Sequence, residues 1–166
     1  MPISVLLLAY TPEPDRTVAA AARLCYSDVS AVEISEGLRG EDVSRFISHL
    51  RSSGHFSPFE HADFTFAVDG VSRVCSHQLV RHRMASYSQQ SQRYVPMKAP
   101  EMITPPSLSS NPEALALFKK VAAEAHDAYG KMVESGIPAE DARYILPHGW
   151  ATKMVVTMNA RELHHF

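Results

Sequence analysis

The run Gln78–Val95, QLVRHRMASYSQQSQRYV, governs how this chain is read. Within it Arg81-His82-Arg83 is followed by seven residues and then Ser91. From Gly70 to Pro100 there are five cationic side chains (Arg73, Arg81, Arg83, Arg93 and Lys98) and no Asp or Glu. The whole chain carries a formal charge of −2, so everything outside that window is acidic. Guanidinium groups repel one another and resist burial, so this concentration calls for a counter-anion, and Arg forks grip phosphate or carboxylate through paired charge-assisted hydrogen bonds. Gln78, Ser86, Ser88, Gln89, Gln90, Ser91 and Gln92 add uncharged donors and acceptors. Together they suit a phosphorylated ligand bearing a hydrogen-bonding heterocycle. The plainer account is a solvated helix face, the usual fate of Arg. Exposed helical Arg residues, however, sit among acidic partners three or four positions away, and none occurs across these thirty-one residues. The window reads as a site.

At 166 residues, with 45% hydrophobic and 20% charged residues, the chain is one domain's worth. That length buries roughly 70% of the unfolded surface. We therefore expect residues 1–166 to form a single domain. Net charge near zero argues against polyanion binding by the whole surface. The apolar run Val5-Leu6-Leu7-Leu8-Ala9 has no basic residue before it and is too short to span a bilayer, so it is expected to be a buried strand. Cys25 and Cys75 have neither metal-type spacing nor a secretory context, and are expected to be reduced and partly buried in a cytoplasmic protein.

The pattern sets out alternating elements. Ile3–Ala9 reads as a strand, and Asp15 caps an Ala-rich helix to Leu24. A helix over Asp42–Ser52 places Val43, Phe46, Ile47 and Leu50 on one face, and Gly54 ends it. Ala62–Asp69 alternates as a half-buried strand, turned by Gly70. Ser72 caps a helix running to about Arg83, which would bring Gln78 and Arg81 to one face with Arg73 and His77 beside them. Met84–Tyr94 lacks helical periodicity and reads as a structured loop. Lys98–Ser110, rich in Pro and Ser, is the expected mobile segment. Asn111-Pro112 opens a long helix to about Ser135, Pro138–Leu146 a short one, and Trp150–Met158 is a strand. Asn159-Ala160-Arg161-Glu162 begins a capped helix with Glu162 at its third position. The chain stops soon after, so a C-terminal region is expected to be missing.

Several chemistries are excluded by their absent signatures. There is no Gly-rich dinucleotide fingerprint, no Walker loop and no nucleophile elbow around a serine. Nine histidines show no zinc spacing, so no metal is expected. Ser91 has no evident base beside it and is expected to hydrogen-bond a substrate rather than attack one.

The string RHRMASYSQQSQRY resembles the signature of the flavin-dependent thymidylate synthases. Three further segments match in order: SGHFSPFEH (Ser53–His61), DARYILP (Asp141–Pro147) and TMNARELHHF (Thr157–Phe166). The resemblance implies an α+β fold with a central, mostly antiparallel sheet flanked by helices, of the thymidylate synthase-complementing-protein type. It implies a homotetramer that converts dUMP to dTMP, with methylene-tetrahydrofolate as carbon donor, NADPH as reductant and bound FAD between them. By that likeness Ser57, Arg81, His82, Arg83, Gln89, Asn159, Arg161 and His165 would contact FAD, with His55 and Glu60 supporting the flavin edge. Gln78, Arg81, Gln89, Gln90, Ser91, Arg93 and Arg143 would hold the nucleotide. Gln89 stands where some relatives carry Glu, and His165 where some carry Asn. The family's nucleotide-activating Arg would lie beyond Phe166, so the resemblance assigns no catalytic residue here.

Two other classes stay open on sequence alone. One is a non-catalytic flavin- or nucleotide-binding protein that kept the Arg cradle. The other is a single-stranded nucleic-acid binder, raised by Arg interleaved with Tyr87 and Tyr94 and opposed by the acidic remainder. We expect neither a nucleic-acid nor a membrane partner.

Overall fold

A computed structural model describes residues 3–97 and 101–166. Its centre is a four-stranded antiparallel sheet in the order β1-β2-β4-β3, formed by β1 (Ser4–Tyr10), β2 (Asp63–Ser72), β3 (Ala85–Gln89) and β4 (Ala151–Asn159). The helices are α1 (Pro14–Leu24), α2 (Ala31–Gly37), α3 (Gly40–Ser52), α4 (Arg73–Leu79), α5 (Pro106–Ser109), α6 (Pro112–Glu134), α7 (Ala139–Ala142) and α8 (Ala160–His165). Short 3₁₀ turns cover Ser57–His61 and Arg143–Ile145. The α+β reading with an antiparallel sheet is borne out. Among the described residues no helix is long and apolar enough to cross a membrane.

The strands pass through two compact units. One comprises Leu6–Ala67, His82–Tyr87 and Val155–Phe166. Its core joins Val18, Ala22, Leu50, Phe59 and Ala62, and continues through Ala19, Ala20, Ile34, Leu38 and Val43. The alanines explain the packing: with no side chain beyond Cβ, Ala19 and Ala22 let α1 approach its neighbours closely. Phe46 and Ile47 of α3 pack against both groups of buried residues, as the three- and four-residue spacing predicts. α2 starts with a complete capping box, in which Ser30 accepts from the Glu33 N–H and Glu33 accepts from the Ser30 N–H. The other unit comprises the chain start to Val5, Val68–Arg81 and Ser88–Met154. It is centred on Tyr129, Ala142, Leu146 and Trp150, with Met102, Met132 and Val133 packed against them.

Several expectations change. β1 forms as a strand but is not buried: it lies on the sheet's edge, with Leu6 61% and Leu8 53% exposed. Asp15 is not the cap of α1; it sits in the first turn, and Glu13 takes the cap position with φ 45. Gly70 does not turn the chain, because β2 runs on through it to Ser72, with φ 74 at a point where L side chains are disfavoured. α4 ends at Leu79 rather than Arg83, and the Arg81 N–H bonds back only three residues to the Gln78 carbonyl. Nothing in the sequence marks that stop, since neither Gly nor Pro follows. Part of the expected loop is β3, whose backbone takes up the open edge of β4. Pro138–Leu146 divides into α7 and a 3₁₀ turn. Cys25 and Cys75 are both exposed. Of the expected mobile segment, residues 98–100 lie outside the described residues; beyond them Met102 bridges to Trp150 and α5 follows.

Leu50 is 6% exposed at the centre of the first core. Leu50→Ala should cost about 2–5 kcal/mol of unfolding free energy, read from urea melts. A loss below about 1 kcal/mol would show that this core is not what holds α3.

Candidate functional site

Two groups of polar side chains stand out, one in each unit. In the first unit, α8 leaves the end of β4 under a cap: Asn159 Oδ1 accepts from the Glu162 N–H at 2.9 Å. The Ala160 N–H donates to the Ala62 carbonyl at 2.7 Å, fixing α8 against the Ser57–His61 turn. Between them opens a cleft of ≈ 580 Å³ lined by Phe56, Glu60, Met84, Asn159, Arg161, Glu162, His164 and His165. Arg161 pairs with Glu60 across its mouth. The His164 ring meets Phe59 edge-on at 5.3 Å and lies 5.7 Å from Phe56, giving the cleft an aromatic wall.

Next to the cleft, His82 Nδ1 lies 2.9 Å from Oε1 of the lining residue Glu162, and Glu162 is 8% exposed. The expected capping box is therefore half complete, since Glu162 directs its carboxylate to His82. The His82 ring is flanked by Phe166 at 5.1 Å and His165 at 5.9 Å, and its carbonyl accepts from the Tyr87 hydroxyl at 3.0 Å. Burial and the Glu162 charge raise the Tyr87 phenol above its ordinary range, so it stays a donor. Of the residues expected around a flavin, Asn159, Arg161, His165 and Glu60 line this cleft. His82 contacts Glu162 of its lining, and Ser57, His55 and Arg83 are exposed and not among the lining residues. Arg81 and Gln89 belong to the other unit. Phe56, Met84 and Glu162 were not anticipated. Apolar Phe56 and Met84 carry no signal in a sequence, while Glu162 was read as a helix cap.

In the second unit Gln89 is tied inward: Nε2 donates to Ser76 Oγ at 2.9 Å and to Thr152 Oγ1 at 3.1 Å. Both amide hydrogens are engaged, which leaves only its carbonyl oxygen to face a ligand. Arg73, half-buried at the start of α4, donates from Nη1 to the Gln90 carbonyl at 3.4 Å. Arg143 Nε donates to the Glu140 carbonyl at 3.0 Å. Neither guanidinium has a carboxylate partner among the described residues. Burial holds the Arg73 guanidinium below its ordinary range, and Arg143 adds repulsion. Arg93 differs. The acid-free window hid its partner, because Arg93 Nε meets Glu140 Oε2 at 3.1 Å from α7. That bond raises the Arg93 guanidinium further. Ser91 Oγ accepts from the Arg93 N–H at 3.2 Å, fixing their turn, and Gln78 and Arg81 are exposed at the end of α4. Arg73 is the residue the site reading left out, although the same acid-free window contained it.

Residues 6–166 match the family model described as thymidylate synthase complementing protein. The chain belongs to that family. Among curated members of the thymidylate synthase complementing protein family, the flavin-dependent thymidylate synthase of Geobacter sulfurreducens is 49% identical over 99% of this chain and 72% of its own length. That of Clostridium tetani is 43% identical over 100% of this chain and 73% of its own. Among solved structures, the UMP/dUMP methylase PolB of Streptomyces cacaoi, bound with 5-Br dUMP, superposes with a TM-score of 0.86 at 27% identity, covering 99% of this chain and 76% of that one.

This family member also carries a histidine pair that the site readings did not use. The His77 and His148 rings meet edge-on at 4.7 Å, and the Val74 N–H donates to the His148 carbonyl at 3.0 Å. Burial lowers the His77 imidazole from its ordinary value of 6.5, with His148 and Arg73 adding repulsion. The unfolded chain therefore holds a proton that the folded one has released. The stability from neutral His77 is complete above about 6.5 and is lost as pH falls from there through the folded value. Thermal midpoints should fall on acidification from about pH 7, and His77→Asn should flatten that portion of the decline. An unchanged slope would remove His77 from the account.

Proposed function

We infer that this protein is a flavin-dependent thymidylate synthase, converting dUMP to dTMP with FAD as cofactor, methylene-tetrahydrofolate as carbon donor and NADPH as reductant. The observation that carries the reading is the pair Arg73 and Arg143. Two guanidinium groups, close enough to repel and among the described residues answered only by backbone carbonyls, need an anion such as a nucleotide phosphate. Arg93 and Ser91 extend that surface, and Gln78, Arg81, Gln90 and the Gln89 carbonyl supply hydrogen bonds for the heterocycle.

The first unit's cleft fits a flavin. It offers an aromatic and thioether wall from Phe56, His164 and Met84, with polar groups from Asn159, Arg161 and His165. Those three residues, with His82, Arg83 and Ser57, would hold the cofactor. A bound flavin supplies hydride transfer, which no side chain can perform. The chain's own part is binding and polarisation. Uracil is a poor nucleophile at C5, so donors must be aimed at its carbonyl oxygens in a site shielded from water. Arg and Gln side chains are such donors, and Ser91 contributes a hydrogen bond rather than a nucleophile.

Release of tritium from dUMP labelled at C5, with methylene-tetrahydrofolate and NADPH present, tests the reaction. Bound flavin and bound dUMP without release would instead favour a non-catalytic member. For the nucleotide contact, Arg93→Ala should raise the dUMP dissociation constant at least about tenfold by calorimetry. An unchanged affinity would remove Arg93 from the site.

The homotetramer finds support in β1. Val5, Leu6, Leu7 and Leu8 stand exposed along a sheet edge, and an edge with unpaired backbone and apolar side chains is a template for association. Leu6→Lys combined with Leu8→Lys should shift sedimentation from a tetramer to smaller species. A tetramer that survives both charges would place the interface elsewhere.

A further inference from the structure

The two acidic residues at the third position of a capped helix behave differently. Glu33 completes its box, with both its N–H and its carboxylate bonded to Ser30. Glu162 keeps only half: its N–H is held by Asn159, while the carboxylate turns from the helix end to His82. That choice leaves Glu162 8% exposed, a burial that is costly unless the charge is paired. A carboxylate only accepts, so His82 Nδ1 carries a proton toward it whether the ring is neutral or charged. Nε2 on the opposite edge of the ring is then the atom left for another molecule. Phe166 and His165 flank the ring at 5.1 and 5.9 Å, and the Tyr87 hydroxyl holds the His82 backbone carbonyl, so the Glu162 bond sets the ring's orientation.

We propose that Glu162 is a positioning residue that acts on the flavin through His82, locking the imidazole in its Nδ1–H form and one orientation so that Nε2 is presented to the cofactor. The assignment rests on the flavin reading of the adjoining cleft. Glu162 therefore has a task distinct from those of Asn159 and Arg161, which lie three positions and one position before it. The helix cap gives the spacing: Asn159 fixes the first turn, and the residue whose N–H it holds is the one whose side chain reaches His82.

Two measurements on the full chain test this. The first is ¹⁵N histidine NMR at alkaline pH, where the ring is neutral. His82 should be the Nδ1–H tautomer in the unmutated protein. It should stay so in Glu162→Gln, whose side-chain carbonyl still accepts, and revert toward Nε2–H in Glu162→Leu. An Nε2–H signal in the unmutated protein overturns the proposal without any variant, so it stands even if Glu162→Leu fails to fold. The second is a double-mutant cycle on FAD affinity. Glu162→Leu should weaken FAD about tenfold or more, with Glu162→Gln close to the unmutated value. On a His82→Ala background Glu162→Leu should add nothing, since its route to the cofactor is gone. Equal losses on both backgrounds would mean a general structural role and overturn the proposal alone. FAD binding that is indifferent to His82→Ala would overturn the flavin reading of the cleft and the proposal with it.

Discussion

A guanidinium without a carboxylate is the constraint behind the second unit. Arg73 is half-buried, faces the repulsion of Arg143, and among the described residues is answered by one long bond to a backbone carbonyl. Left alone, such a pair destabilises the fold, because desolvation and like charge act in the same direction. The surroundings show how the cost is contained. Gln89 stitches α4 to β4 through Ser76 and Thr152, so β3 is held without charge. Glu140 neutralises Arg93 but offers Arg143 only its carbonyl. An anionic ligand would complete what these bonds leave open, so ligand binding and stability should be linked in this unit.

The first unit solves a different problem, that of placing polar groups around an apolar wall. Its core of Val18, Leu50 and Phe59 supports the Ser57–His61 turn from below, while α8 is anchored to that turn through Ala160 and Ala62. The cleft therefore rests on packing, whereas the polar groups around it, Arg161 with Glu60 and His82 with Glu162, are paired across elements far apart in sequence. In the other unit Arg93 is matched by Glu140, while Arg73 and Arg143 have no carboxylate partner among the described residues. That contrast fits one region for a cofactor held along its length and another for a compact anion.

How much of this could be read beforehand depended on the range of the interaction. Helices α3 and α6 and the Asn159 cap were legible, because periodicity and capping are local. The Arg-His-Arg segment and its acid-free surroundings were legible as a site for the same reason. β3 was not, because its inward residues are Ala85, Tyr87 and Gln89, and a half-buried Gln is intelligible only once Ser76 and Thr152 are beside it. The Arg93–Glu140 pair spans 47 residues and lies outside any window. β1 was misread as buried because apolar composition predicts burial against something, without saying whether that partner lies in the same chain. Glu162 was given the right helix position and the wrong partner.

The central claim is that the guanidinium surface of the second unit exists to take a nucleotide's phosphate. Calorimetric titration of the protein with dUMP and, in parallel, with deoxyuridine tests it most directly. The account predicts saturable dUMP binding that weakens as salt rises, and no measurable heat from the nucleoside over the same range. Equal affinity for the two would contradict it, because the phosphate would then have no counterpart in the site.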